Sequence, residues 1–347
     1  MAEAPPEIEV HALFPDVVAF GPNLDIFPNK WHWAIRYPIG VVVGARGDLM
    51  TGPDSLNVVD YDARLPSEAT ILYYHMSDEE KRRMFPAGSH ILCTSITPSV
   101  PTTRKVHFCD QVAQRDGGRC VLTRMIPDAC DAVHLLAHSK GDAYIETYTQ
   151  RRSRDPTGGD IVREIESVRN GLFLNKFTHV ALGTHIAFLM RPNFAMNTAD
   201  VDLATPPGEK KRIAHLFRPD KKVYLGGFGA PPPGSPLHIS EGSTRPPNIL
   251  FDAVYAGAVL NHFGTDALKA EFGATWQDVF YPNGIMTAAY RGDQAINDLE
   301  RGKKSRQTRH AHGSPICRGA TEQAAEDVKE SRRGYPGSRA EASEGES

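Results

Sequence analysis

Between Cys130 and His179 two short apolar runs are separated by a long insert and followed by a helix-compatible stretch. CDAVHLL is strand-like and holds His134. RNGLFLN brings a second strand-like run, Leu172–Leu174, and NKFTHVAL over 175–182 suits two helical turns stopped by Gly183. This order of strand, excursion, strand and helix restricts the fold more than any other segment does. It also carries chemistry. His134, Asn170 and His179 follow in that order, with eight residues between the last two. An imidazole titrates near neutrality and accepts a proton, an amide can hold that imidazole, and a second neutral imidazole can bind a divalent cation.

The rest of the chain sets boundaries on function. Its 347 residues allow two domains or one elaborated domain, and 40% hydrophobic residues can build a core. A net charge of −3 gives no polycationic signature, so any nucleic-acid contact needs a local patch. Five cysteines (Cys93, Cys109, Cys120, Cys130 and Cys317) at uneven spacing make no disulfide framework, and the absence of a CxxC pair excludes a four-cysteine zinc ribbon. Cys120 and Cys130 read as buried small hydrophobes, as a bonded pair, or as flanks of a structural zinc. Cysteine usage, an N-terminus without a signal-peptide pattern and the lack of an 18-residue apolar run point to an intracellular protein, cytoplasmic or nuclear, with no membrane partner.

Residues 1–100 read as a β-rich region. IEVHALF, VVAF, WHWAIRYPIGVVVG, ATILYYHM and HILCTSIT are rich in Val, Ile and aromatics, and Trp31 and Trp33 alternate around His32. Within 101–200, the segment 102–115 reads as a helix ended by Gly117-Gly118, RCVLT as a short strand, 142–153 as a helix and IVREIE as a helical turn. Residues 201–247 are rich in Pro, Gly and charge and read as loops with edge strands, or as a linker. Residues 248–296 form a helical C-terminal segment whose clearest helix starts with Asn248 as a cap and stops at Gly264. Residues 297–347 read as a disordered tail, basic over RGKKSRQTRHAHGSPICRG and acidic thereafter.

The run from 115 to 194 resembles the HNH endonuclease domain, in the divergent form common among fungal proteins. The likeness rests on RDGGRCVLT, the C-x3-H-L-L strand with Cys130 and His134, the SKGD turn, and RNGLFLN followed by His179. It implies an α+β protein with a ββα-metal core over 120–182: a first strand with His134, a second at 172–174 and a helix at 175–182. It further implies that His134 is the general base, that Asn170 ties the strands and orients that base, and that His179 is a ligand for a divalent metal (magnesium or manganese, with zinc possible). The implied activity is endonucleolytic hydrolysis of nucleic acid, DNA before RNA. Lys140, Arg151, Arg152 and Arg154 are candidate phosphate contacts, and His138 is a second histidine near the base.

Three positions depart from the family pattern. Val133 stands where an acidic or histidine metal ligand often precedes the base, Ala137 where a proline is common, and Val-Ala-Leu-Gly follows His179 in place of an aromatic and an acid. Asp131, two residues before Val133, falls on the opposite strand face from His134. An alternative reading is therefore a catalytically decayed HNH-fold scaffold that binds nucleic acid or protein. A third places a structural zinc at Cys120, Cys130 and a histidine.

Overall fold

The run WHWAIRYPIGVVV, whose aromatic alternation suggests a strand, is the helix α1 (Trp31–Val43). The structure is a computed structural model that describes residues 8–12, 31–55, 57–61, 70–87, 103–196, 211–217, 234–240 and 242–280. The expectations for VVAF, HILCTSIT, KVYLGGF and the tail from 297 lie outside those residues. The segment is helical because its apolar residues serve several faces, which a period of two cannot express. Ile35, Tyr37, Val41, Val42 and Val43 are all buried. Their partner is α6 (Asn248–Phe263), itself buried at ten positions, and two helices buried against each other are apolar nearly all round. Tyr37 Oη donates to Asp252 Oδ1 across this contact at 2.7 Å.

The strands read at IEVHALF and ATILYYHM form as β1 (Ile8–Ala12) and β3 (Thr70–His75). With β2 (Asp48–Met50) they make an antiparallel sheet in the order β1-β3-β2, in which Tyr74 lies opposite both Ile8 and Leu49. A short helix α2 (Asp78–Arg83) follows, capped by Ser77. The N-terminal region is thus mixed rather than β-rich among the described residues.

Next come α3 (Thr103–Arg115), β4 (Cys130–His134), α4 (Asp142–Arg152), β5 (Gly171–Asn175) and α5 (Lys176–Ala181). RCVLT is a turn and not a strand, closed by Arg124 N–H on Cys120 O at 2.9 Å, and its Val121 N–H reaches Phe173 O at 2.9 Å. IVREIE is not helical: its Ile165 N–H bonds Asp142 Oδ1 at 2.7 Å in place of a helical carbonyl. β5 is buried at every position, which explains an uninterrupted apolar run. Asp116, at the end of α3, takes Phe173 N–H and the Arg115 guanidinium on one carboxylate oxygen, at 2.9 and 2.8 Å, so the helix end is fixed to β5.

β6 (Ile186–Arg191) and β7 (Lys211–Leu216) pair antiparallel, and β7 falls inside the loop-rich stretch. β6 packs on α6. Asn248 is the first helical residue of α6 and not its cap, which is Pro247; its Oδ1 instead takes Arg212 Nη2 at 2.6 Å. α7 (Asp266–Phe280) follows. The core is one cluster running from Ile35 to Phe272. No helix among the described residues is long and apolar enough to cross a membrane.

Candidate functional site

β4 and β5 pair antiparallel, with Cys130 opposite Asn175, Val133 opposite Leu172 and His134 opposite Gly171. Cross-strand partners share a face of the sheet, so the missing side chain of Gly171 lies beside His134. α3 fills that space. A Cβ on Gly171 would stand 2.4 Å from Val112 Cγ2 and 2.8 Å from Phe108 Cζ. The glycine is required for room rather than for backbone freedom. The close approach lets Phe108 stack on His134, with ring centroids 4.0 Å apart and planes 3° from parallel.

Asn170 ends the turn before β5 and is fully buried. Its Oδ1 accepts Leu136 N–H at 2.9 Å, and its Nδ2 donates to Leu136 O at 3.0 Å and Ile165 O at 2.9 Å. Its backbone carbonyl accepts Leu135 N–H at 2.8 Å. These bonds join the segment after β4 to the start of β5. They address backbone, not the His134 ring.

The group that does address the ring is Glu166, which the motif does not single out. Its carboxylate is 7% exposed and stands between two histidines: His134 Nε2 lies 3.5 Å from Oε2, and His138 Nε2 lies 2.8 Å from Oε1. Burial opposes its charge, but the two imidazoles outweigh burial and hold the carboxyl well below its usual range. His138, the first residue of a 3-10 turn over His138–Lys140, is mostly exposed. The only sequence signal for this arrangement is a carboxylate four residues before Asn170.

His179 sits on α5. Asn175 caps that helix, its Oδ1 accepting Thr178 N–H at 2.9 Å. His179 Nδ1 lies 3.5 Å from Asp131 Oδ2, and both side chains are partly open to solvent. The contacts accordingly form two groups: His134 with Phe108, Glu166 and His138, and His179 with Asp131. Among the described residues, no cluster of three or more His, Cys, Asp or Glu side chains is arranged to hold a metal. The Asp131–His179 pair suits an ion that keeps most of its water, as magnesium does, and not a closed four-ligand zinc site.

The cysteines form no zinc cluster either. Cys120 Sγ accepts Thr123 N–H at 3.3 Å and Asn175 N–H at 3.3 Å, while Cys130 Sγ donates to Ile126 O at 3.2 Å. The contact between the two sulfurs, ahead of the effect of burial, lowers Cys120 and raises Cys130. The pair closes the turn onto the strand.

The basic residues divide by burial. Arg151 is exposed, and Lys140 is half-buried with its ammonium 5.3 Å from the Tyr144 ring centre. Arg152 is buried and is corrected from a nucleic-acid contact to a structural group. Its guanidinium donates to Val41 O at 2.6 Å and Val42 O at 3.1 Å, carbonyls at the end of α1, and to Phe85 O at 2.8 Å in the segment after α2. Arg154 is paired with Glu80, Nη2 to Oε2 at 2.6 Å. A groove of about 500 Å³ runs between α3 and the segment 161–169, lined among others by His107, Gln111, Arg163, Glu166 and Arg169.

Comparison with known proteins bears on the same segment. Residues 120–188 match the family model of the HNH endonucleases, so the resemblance read from the motif holds over β4, the insert, β5, α5 and part of β6. No curated protein and no solved structure matches the chain.

Proposed function

We propose that the HNH endonuclease domain carried by this chain at residues 120–188 is a working, metal-dependent nuclease that hydrolyses phosphodiester bonds, with DNA as substrate. The observation that carries the reading is the Asp131–His179 contact at 3.5 Å. It supplies the acidic group that position 133, a buried valine, lacks.

His134 takes the proton of the attacking water, since a neutral imidazole is a competent base at physiological pH. Phe108 and the strand end restrict the ring, and Asn170 holds the backbone of Leu135 and Leu136 that follows it. Asp131 and His179 are the residues that would hold the cation; magnesium or manganese fits their donors, and zinc would also accept an imidazole and a carboxylate. When bound, the metal supplies Lewis-acid stabilisation of the scissile phosphate and the leaving oxygen. Lys140 and Arg151 contact flanking phosphates, positioning the strand without reading its sequence.

A plasmid-nicking assay with magnesium, manganese, zinc or EDTA tests this, using wild type, His134→Ala and His179→Ala. Metal-dependent nicking lost in both variants is expected. Wild-type cutting by His134→Ala would sink the assignment of the base. Folded wild-type protein that fails to nick with any of the three metals would favour the scaffold reading.

A further inference from the structure

We propose that Glu166 is the positioning residue of the base: a buried carboxylate that holds the His134 imidazole from its Nε2 side and is itself anchored by His138. The inference rests on the nuclease reading above for its functional meaning, but its geometry stands apart from the motif. Three observations carry it.

First, a carboxylate that is 7% exposed needs partners, and the ones beside it are imidazole nitrogens, at 2.8 Å from His138 and 3.5 Å from His134. Second, the Phe108 stack pins the plane of the His134 ring, so the edge that meets Glu166 is fixed. Third, the bonds of Asn170 run to Leu136 and Ile165. Ile165 directly precedes Glu166, and its N–H is held by Asp142. Asn170 therefore orients the base through the segment that carries Glu166. The motif's asparagine sets the frame, and a residue of the insert makes the contact.

A carboxylate at one ring nitrogen fixes the tautomer and stabilises the imidazolium that forms on proton uptake. The other titratable or charged groups that line the groove with Glu166 are His107 on α3 and Arg163, Glu164 and Arg169 on its own segment, and Asp142 on α4 bonds the adjacent Ile165. Arg163 and Glu164 are exposed and screened. The Arg169 guanidinium is held by the carbonyls of Ile161 and Gly159, and Asp142 by Ile165 N–H.

The test is a histidine NMR titration of the full chain, comparing wild type with Glu166→Gln and assigning His134 by difference with His134→Gln. The His134 midpoint is expected to fall by about one pH unit in Glu166→Gln, because the removed charge favoured the imidazolium. The acid limb of the nicking rate should move the same way, with the melting temperature little changed. An unmoved His134 midpoint overturns the proposal. That outcome does not depend on nicking by wild type: absence of all cutting with a shifted midpoint rejects the nuclease reading and leaves the positioning intact. Should Glu166→Gln not fold, His138→Ala replaces it. Its mostly exposed side chain can be removed, and Glu166 then serves His134 alone, so the His134 midpoint should rise by about a few tenths of a pH unit. No movement there overturns the shared carboxylate.

Discussion

Asn170 and Leu136 are bonded in both directions, Nδ2 to Leu136 O at 3.0 Å and Leu136 N–H to Oδ1 at 2.9 Å, with both residues fully buried. The amide completes backbone pairing just where the ladder between β4 and β5 ends. Asn170→Ala would leave Leu136 N–H and the carbonyls of Leu136 and Ile165 without these partners. The expected cost is about 3 kcal/mol or more by urea denaturation, given roughly 1–3 kcal/mol for each of the three buried groups. A variant as stable as wild type would show that the tie carries nothing.

Gly171→Ala places a methyl against Val112 and Phe108. Overpacking of this kind costs about 1–3 kcal/mol, and it should also push Phe108 off His134. Combining it with Val112→Ala should recover part of the stability. Purely additive losses in that double-mutant cycle would contradict the contact.

Asp131→Ala and His179→Ala should each raise the metal concentration needed for half-maximal nicking. Even an outer partner of a ligand is worth about ten- to a hundredfold in metal affinity, so a direct ligand should reach at least that range. Titration of the rate with magnesium reads the effect. An unchanged half-point for Asp131→Ala would remove it from the site.

Stability should fall on acidification in two stages. Burial, and then the neighbouring His262, push His215 down to about 4 from an ordinary 6.5. The unfolded chain then binds the proton more tightly than the folded one, so stability declines as pH drops below about 6.5 and continues to about 4. Glu166 is also depressed, from an ordinary 4.5. Its contribution is full above that value and lost as pH falls further. Melting temperature against pH should show both stages, and His215→Phe should flatten the first. A melting curve indifferent to pH between about 7 and about 4 would refute the scheme.

Arg152→Ala and Arg151→Ala should part company although adjacent. Arg152→Ala removes a donor from the carbonyls of Val41, Val42 and Phe85, of which Val42 O keeps Ala87 N–H, and should destabilise by about 2 kcal/mol or more. Arg151→Ala, exposed, should leave stability within about 0.5 kcal/mol. It and Lys140→Ala should each lower the slope of log affinity for DNA against log salt by about one. Equal destabilisation by the two arginine variants would contradict the burial difference.

The hairpin and its helix were legible because their signals are local: two apolar runs of strand length, a helix-compatible stretch after the second and a glycine stop. The helix α1 was not, since Trp31–Val43 is apolar apart from His32 and Arg36 and the helix α6 against which it packs is remote in the sequence. The partners of the site were invisible for a related reason. Glu166 meets His134 across the whole insert, and Asp131 meets His179 from the far side of a hairpin. Strand alternation correctly separated Asp131 from His134, but it carries no information on where a later helix will land. Arg152 misled because a charge next to Arg151 reads as surface, whereas the end of α1 supplies it with acceptors.

The stack of Phe108 on His134 has a practical consequence for anyone transplanting this site. A graft cut at the motif, from β4 to α5, would carry the two histidines and the asparagine but leave α3 behind, and with it one wall of the imidazole. A graft that keeps this wall has to include α3. Replacing the insert wholesale would exchange the carboxylate at the edge of the ring and leave the three named letters of the motif untouched.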